Sequence, residues 1–202
     1  MFGEQRMSGK LSVVKTTPPK APLKWRLENT MRYGYVKGWA SYHGAGLFSK
    51  ITNMPVMVGK LEARKFTADG QVIDYGTLGY RVVTTAFVNF VVAQLQTETS
   101  IFGDFKYHDG GVGTTAENAT DTAMETTDAE SRATGSQTAG AANEYVSVGT
   151  IAYTSGKAIT EHGLFNDATT GTLMDRTVFA AVNVVNGDSI QFTYTITFTA
   201  GS

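Results

Sequence analysis

The 202-residue sequence predicts a mostly β protein: an antiparallel sandwich or jelly-roll-like body with one helix at about 84–96 and an extended N-terminal arm. Three observations predict it. Ile190, Phe192, Tyr194, Ile196 and Phe198 alternate with Gln191, Thr193, Thr195, Thr197 and Thr199, the period of a strand with one buried face. The chain holds 29 Thr and 22 Gly but only 17% charged residues, against roughly 25% in average globular chains, which favours strands and turns. Pro18, Pro19 and Pro22 surround Lys20 and Ala21, and closely spaced prolines impose an extended path on residues 1–24.

The other elements follow in chain order. Leu11–Val14 reads as a short strand within the arm. Residues 25–83 alternate short apolar patches with breaks at Gly34, Gly38, Gly44 and Gly46, either as part of a β-rich body over 25–202 or as a small β subdomain. Ala68-Asp69-Gly70-Gln71 is a hairpin turn joining Leu61–Thr67 to Val72–Tyr75, and residues 78–83 continue as strand. Phe87, Val88, Val91, Val92 and Leu95 form a helical stripe over Thr84–Gln96, with Thr84 or Thr85 as cap. The same β-branched run could instead be a buried strand.

Residues 109–143 contain no aromatic side chain, so they supply little core and are expected as exposed loops with one or two short strands, such as Arg132–Thr138. Glu144–Thr154, Lys157–Phe165 and Thr172–Val185 read as strands. The Asn186-Gly187 turn predicts an antiparallel hairpin between Val178–Val185 and the last strand.

Several functions are excluded early. Without Cys there is no disulfide scaffold, thiolate zinc site or cysteine nucleophile. The N-terminus lacks an apolar run of the roughly 7–15 residues a secretory signal needs. The stretch Val82–Ala93, broken by Thr84, Thr85 and Asn89, falls short of the ~20 residues of a membrane span. Synthesis and assembly in a cytoplasm are therefore expected.

Gly44-Ala45-Gly46-Leu47-Phe48-Ser49-Lys50 lacks the ending of a phosphate loop, and Gly110-Gly111-Val112-Gly113 opens no helix. Asp121, Glu125 and Asp128 do not fit calcium-loop spacing. His108, Asp109 and His162 could converge only if their segments are neighbours, and the simpler reading makes them structural. No enzymatic activity and no cofactor are expected.

Charge is divided along the chain. Residues 1–65 hold twelve Lys and Arg against three Glu, a net of +9, while the rest holds five basic and fifteen acidic residues, a net of −10. Such asymmetry suits an arm that docks on an acidic surface. Lys24-Trp25-Arg26 and Arg32–Lys37 interleave cations with aromatics, but no nucleic-acid-binding module accompanies them. Tyr33, Tyr35, Trp39 and Tyr42 could alternatively form a sugar-stacking platform, the carbohydrate-binding reading.

Three segments are more specific: Leu78–Gln96 (LGYRVVTTAFVNFVVAQLQ); Phe105–His108 followed by Gly111–Glu117; and Ile159–Phe165 with Val182–Thr197 (VNVVNGDSIQFTYTIT). Through them, residues 78–199 resemble a family of tailed-bacteriophage virion structural proteins. The resemblance implies virion architecture: a capsid cement or decoration protein on the outer surface of the shell, or a tail- or fibre-associated protein. It implies the major capsid protein and further copies of the chain, as a homo-trimer or dimer, as partners. Neither membrane nor nucleic acid is expected. The basic arm then supplies the contact residues: Lys10, Lys15, Lys20, Lys24, Trp25, Arg26 and Arg32.

Overall fold

The computed structural model describes residues 17–52, 56–81, 83–96 and 104–199. The expected strand at Leu11–Val14 lies outside them. The described chain is mostly β, with two antiparallel sheets and three helices. In order these are α1 (Leu23–Met31), α2 (Tyr33–Thr52), β1 (Val56–Phe66), β2 (Val72–Arg81), α3 (Thr85–Leu95), β3 (Tyr107–Gly111), β4 (Ala133–Thr134), β5 (Ser136–Ala139), β6 (Glu144–Ala152), β7 (Lys157–Phe165), β8 (Leu173–Val184) and β9 (Ser189–Thr199). One sheet has the order β2-β1-β9-β6-β5 and the other β4-β3-β7-β8.

The alternating strand is β9, flanked by β1 and β6. Ile190, Phe192, Tyr194 and Ile196 are all buried, and burying side chains of this size contributes about 1.5–3 kcal/mol each. Phe198, expected to continue the buried face, is instead 44% exposed at the strand end. The β1–β2 hairpin forms as its turn residues dictate, with Thr67 N donating to Gln71 O at 2.9 Å and Gly70 in the left-handed region (φ 84°). Thr84 caps α3, its side chain accepting from Phe87 N at 3.1 Å.

Two expectations are corrected. The first concerns Asn186-Gly187. A turn forms there, with Gly187 at φ 89°, but it carries the chain from one sheet to the other, so β8 and β9 are not a hairpin. The Asp188 carboxylate fixes the crossing: it accepts from Val185 N and Ala68 N, both at 2.9 Å, and pairs with Lys65 Nζ at 2.7 Å. These bonds tie the turn to the β1–β2 hairpin. Gly187 supplied the reversal, but distant partners decided where the next strand went.

The second correction concerns helix content. Among the described residues there are three helices, not one, and the glycine-interrupted stretch after Trp25 is largely α1 and α2. Glycine costs about 1 kcal/mol in a helix interior, so propensity argues against α2. Packing overrides it. Gly38, Ala45 and Ser49 are buried at helical spacing, and a Cβ on Gly38 would lie 1.8 Å from the Tyr80 carbonyl oxygen. The small residues let α2 approach the sheet more closely than a side chain would allow. Residues 25–83 thus combine two helices with β1 and β2, which share a sheet with β9.

Helix α1 lies where the edge strands β2 and β8 meet. Trp25 Nε1 donates to Ala180 O at 3.0 Å, Asn29 Nδ2 to Leu78 O at 2.9 Å, and Ala180 N to Asn29 Oδ1 at 3.0 Å. Side chains thereby occupy backbone groups that edge strands leave open. Just before α1, Asp74 N donates to Pro19 O and Ala21 N to Asp74 O, both at 2.8 Å, so the extended segment lies along β2.

Candidate functional site

The predicted contact residues separate into three groups. Lys10 and Lys15 lie outside the described residues. Lys20 and Trp25 are committed within the chain: Lys20 pairs with Asp74, while Trp25 is 8% exposed and packs edge-on against Tyr75 at 4.7 Å. Burial would raise the Asp74 carboxyl, but Lys20 and the Gly76 N–H hold it below its ordinary value. Lys24 and Arg26 are exposed, and Arg32 is half-buried at the elbow between α1 and α2. As a partner-binding residue Trp25 is therefore corrected to a core residue, because its ring and its N–H are both occupied by the body.

Grooves of about 300 and 230 Å³ flank the Lys20–Asp74 pair; the smaller runs between α1 and β2 past Arg26, Tyr35 and Tyr75. Of the four aromatics read as a platform, the Tyr33 side chain lies outside the described ones. Tyr35 and Tyr42 pack against Tyr80 at 5.6 and 4.9 Å, and Trp39 packs against His43 at 4.8 Å.

The histidines do meet. β3 pairs with β7, which places Gly110 opposite His162 and His108 opposite Leu164. His108 Nδ1 lies 3.0 Å from His162 Nε2, and His108 Nε2 lies 2.9 Å from Ser147 Oγ across the sandwich. All three residues are fully buried. Cβ atoms on Gly149 and Gly135 would lie 2.3 and 2.9 Å from His108 Cδ2, so glycines shape the imidazole slot.

Burial pushes the His108 pKa down to about 4, and burial with the neighbouring imidazole pushes His162 well below its ordinary value. Both rings are therefore neutral at pH 7. His162 Nδ1 has no partner. A bare acceptor tolerates that better than an orphaned N–H, which assigns the protons. His162 Nε2–H donates to His108, His108 Nε2–H donates to Ser147, and the chain continues through Tyr145 to the Phe105 carbonyl. Ser147 and His108 are in contact, but their burial makes the pair a core bracket rather than an exposed nucleophile. Among the described residues no group of three or more His, Asp or Glu is placed to hold a metal ion.

The acidic low-complexity stretch is more tightly held than expected. Glu161, fully buried, accepts from Gly113 N at 3.0 Å, Thr126 N at 2.8 Å and Glu125 N at 3.2 Å. Arg176 Nε pairs with Glu161 at 2.7 Å, and its other nitrogens reach Asp121 at 3.0 Å and Glu125 at 3.2 Å. One β7–β8 ion pair thus gathers both ends of the loop over the second sheet. Asp121, Glu125 and Glu161 thus converge on the Arg176 guanidinium.

The sequence reading missed the outer surface of the helices. Leu27 and Met31 on α1, and Val36, Leu47, Phe48 and Ile51 on α2, are each more than half exposed. Soluble surfaces seldom cluster so many large apolar residues unless something covers them. The signal was present as helical spacing (Leu23, Leu27, Met31; Val36, Leu47, Ile51), but the glycines between read as strand breaks. On α3 the stripe divides similarly: Phe87 packs on Phe105 at 5.1 Å while Val88, Val92 and Leu95 face outward. No helix among the described residues is long and apolar enough to cross a membrane. No protein-family model, curated protein or solved structure matches the chain.

Proposed function

We propose that the chain is a bacteriophage virion structural protein, a capsid cement or decoration protein that binds the outside of the major-capsid lattice and stabilises it. The apolar outer surface of α1 and α2 carries the proposal. A rigid two-sheet body holds helices whose exposed residues are those of a protein–protein contact, which is what a clamping protein requires. The resemblance of residues 78–199 to virion proteins supports the same reading. A jelly-roll-like body is part of the proposal, supported by the chain crossing between sheets at β6–β7 and at β8–β9.

In this reading the contact surface moves from the extended arm to the helices that follow it, because Lys20 and Trp25 are held by the body. Copies of the chain at local symmetry axes would multiply weak individual contacts. A virion image at residue resolution tests the proposal. Many copies on the shell are expected; bare shells with a few copies in the tail would replace it with the tail-associated reading.

A further inference from the structure

A virion role requires a contact surface, and the geometry points to one: we propose that the outward face of α1–α2 docks on an acidic protein surface with an apolar centre. This deepens the virion reading and rests on it for the nature of the partner.

The orientation of the face is fixed. Gly38, Ala45 and Ser49 turn one side of α2 to the sheet, and Trp25 and Asn29 turn one side of α1 to β2 and β8. Val36, Leu47 and Ile51 are spaced eleven and four residues apart, near whole turns of a helix, so they form one outward stripe. On α1, Leu27 and Met31 are exposed on the side away from Trp25 and Asn29. The body already occupies the opposite sides, so the chain cannot cover this stripe by rolling its own helices inward.

Charge selects the occupant. Residues 17–52 hold six Lys and Arg and one acid, Glu28, a net of +5. Lys24, Arg26, Lys37 and Lys50 are exposed. At 100° per residue, Lys37 and Lys50 fall on opposite flanks of the α2 stripe. Pairing this face with the same face of a second copy would set these exposed cations against one another, which opposes association. An acidic rim around an apolar centre complements both the charge and the stripe. An anionic bilayer shares the charge but suits a continuous helix lying flat; here Arg32, extended at ψ 132°, breaks α1 from α2.

Trp39 reports on the face, being 49% exposed while Trp25 is buried. The full-length protein is titrated with a synthetic amphipathic helix carrying a Leu face and Glu flanks, with the same peptide carrying Lys flanks, and with phosphatidylserine-containing vesicles. The Glu-flanked peptide should shift Trp39 emission to the blue, and the shift should be absent in W39F. Salt at about 1 M, where the screening length is roughly 3 Å, should weaken binding by about tenfold or more. The doubly substituted L47D/I51D should melt like the parent, because both sites are exposed, yet no longer bind. K37E/K50E should bind the Lys-flanked peptide instead.

Equal binding of both peptides by the parent overturns the proposal, as does binding to neither. A shift on vesicles without one on the Glu-flanked peptide replaces it with a lipid surface. A salt-insensitive dimer in sedimentation that excludes the peptide replaces it with a second copy. Bare virions would sink the virion role but leave the peptide result standing, so the two failures are distinguishable.

Discussion

Asn29 joins the two sheets at their open edge: it accepts from Ala180 N at 3.0 Å and donates to Leu78 O at 2.9 Å. One amide side chain thus satisfies a strand of each sheet, and Trp25, one turn earlier, takes the Ala180 carbonyl. Asn29→Ala leaves a buried N–H and a buried C=O without partners, each worth about 1–3 kcal/mol. The variant should lose about 2–4 kcal/mol in urea unfolding. An unchanged midpoint would mean that α1 does not hold the seam.

The buried imidazoles make stability depend on pH. An unfolded histidine takes up its proton near 6.5, whereas His108 resists until about 4. Below pH 6.5 the unfolded chain therefore binds more protons, and stability falls as pH falls. His108 alone should remove about 3 kcal/mol by pH 4, and His162 adds to the loss in the same direction. Denaturation midpoints measured between pH 7 and 4 check this. His108→Gln should flatten the profile even though it lowers stability at pH 7.

Gly38 tests the seating of α2. An added methyl would meet the Tyr80 backbone oxygen at 1.8 Å, and backbone cannot give way as a flexible side chain can. Gly38→Ala should lift α2 from β2 and cost about 2–3 kcal/mol, as overpacking does. Hydrogen exchange should quicken across residues 35–49 while β6 and β9 keep their protection. Unaltered exchange in α2 would show that the helix does not seat through Gly38.

Ala129 offers the opposite case. Its φ is 71°, in the left-handed region, between Asp128 and Glu130, whose N–H donates to the Asp128 carboxylate at 2.9 Å. A side chain there costs about 1–2 kcal/mol. Ala129→Gly should raise stability by about 0.5–1 kcal/mol after the larger backbone entropy of glycine is subtracted. A lower thermal midpoint would rule out strain at this turn.

The fold was legible where chemistry is local. Alternation located the buried face of β9, Ala68–Gln71 located the first hairpin, and Thr84 located the start of α3. It was not legible where a distant group supplies the reason. Gly38, Gly44 and Gly46 look like breaks until Tyr80 is seen against Gly38. His108 and His162, fifty-four residues apart, become a pair only once β3 lies beside β7. Trp25 looked like a contact residue because nothing near it in sequence reveals the Ala180 carbonyl that takes its N–H.

By itself the sequence determined the β class, the period of the last strand and the division of charge, because periodicity, turn chemistry and charge act over a few residues. Tertiary structure decided which strands became neighbours, that a glycine-rich stretch is helical, and which cations stay exposed. Those outcomes depend on steric fit and on partners for buried polar groups contributed by segments far apart in the chain.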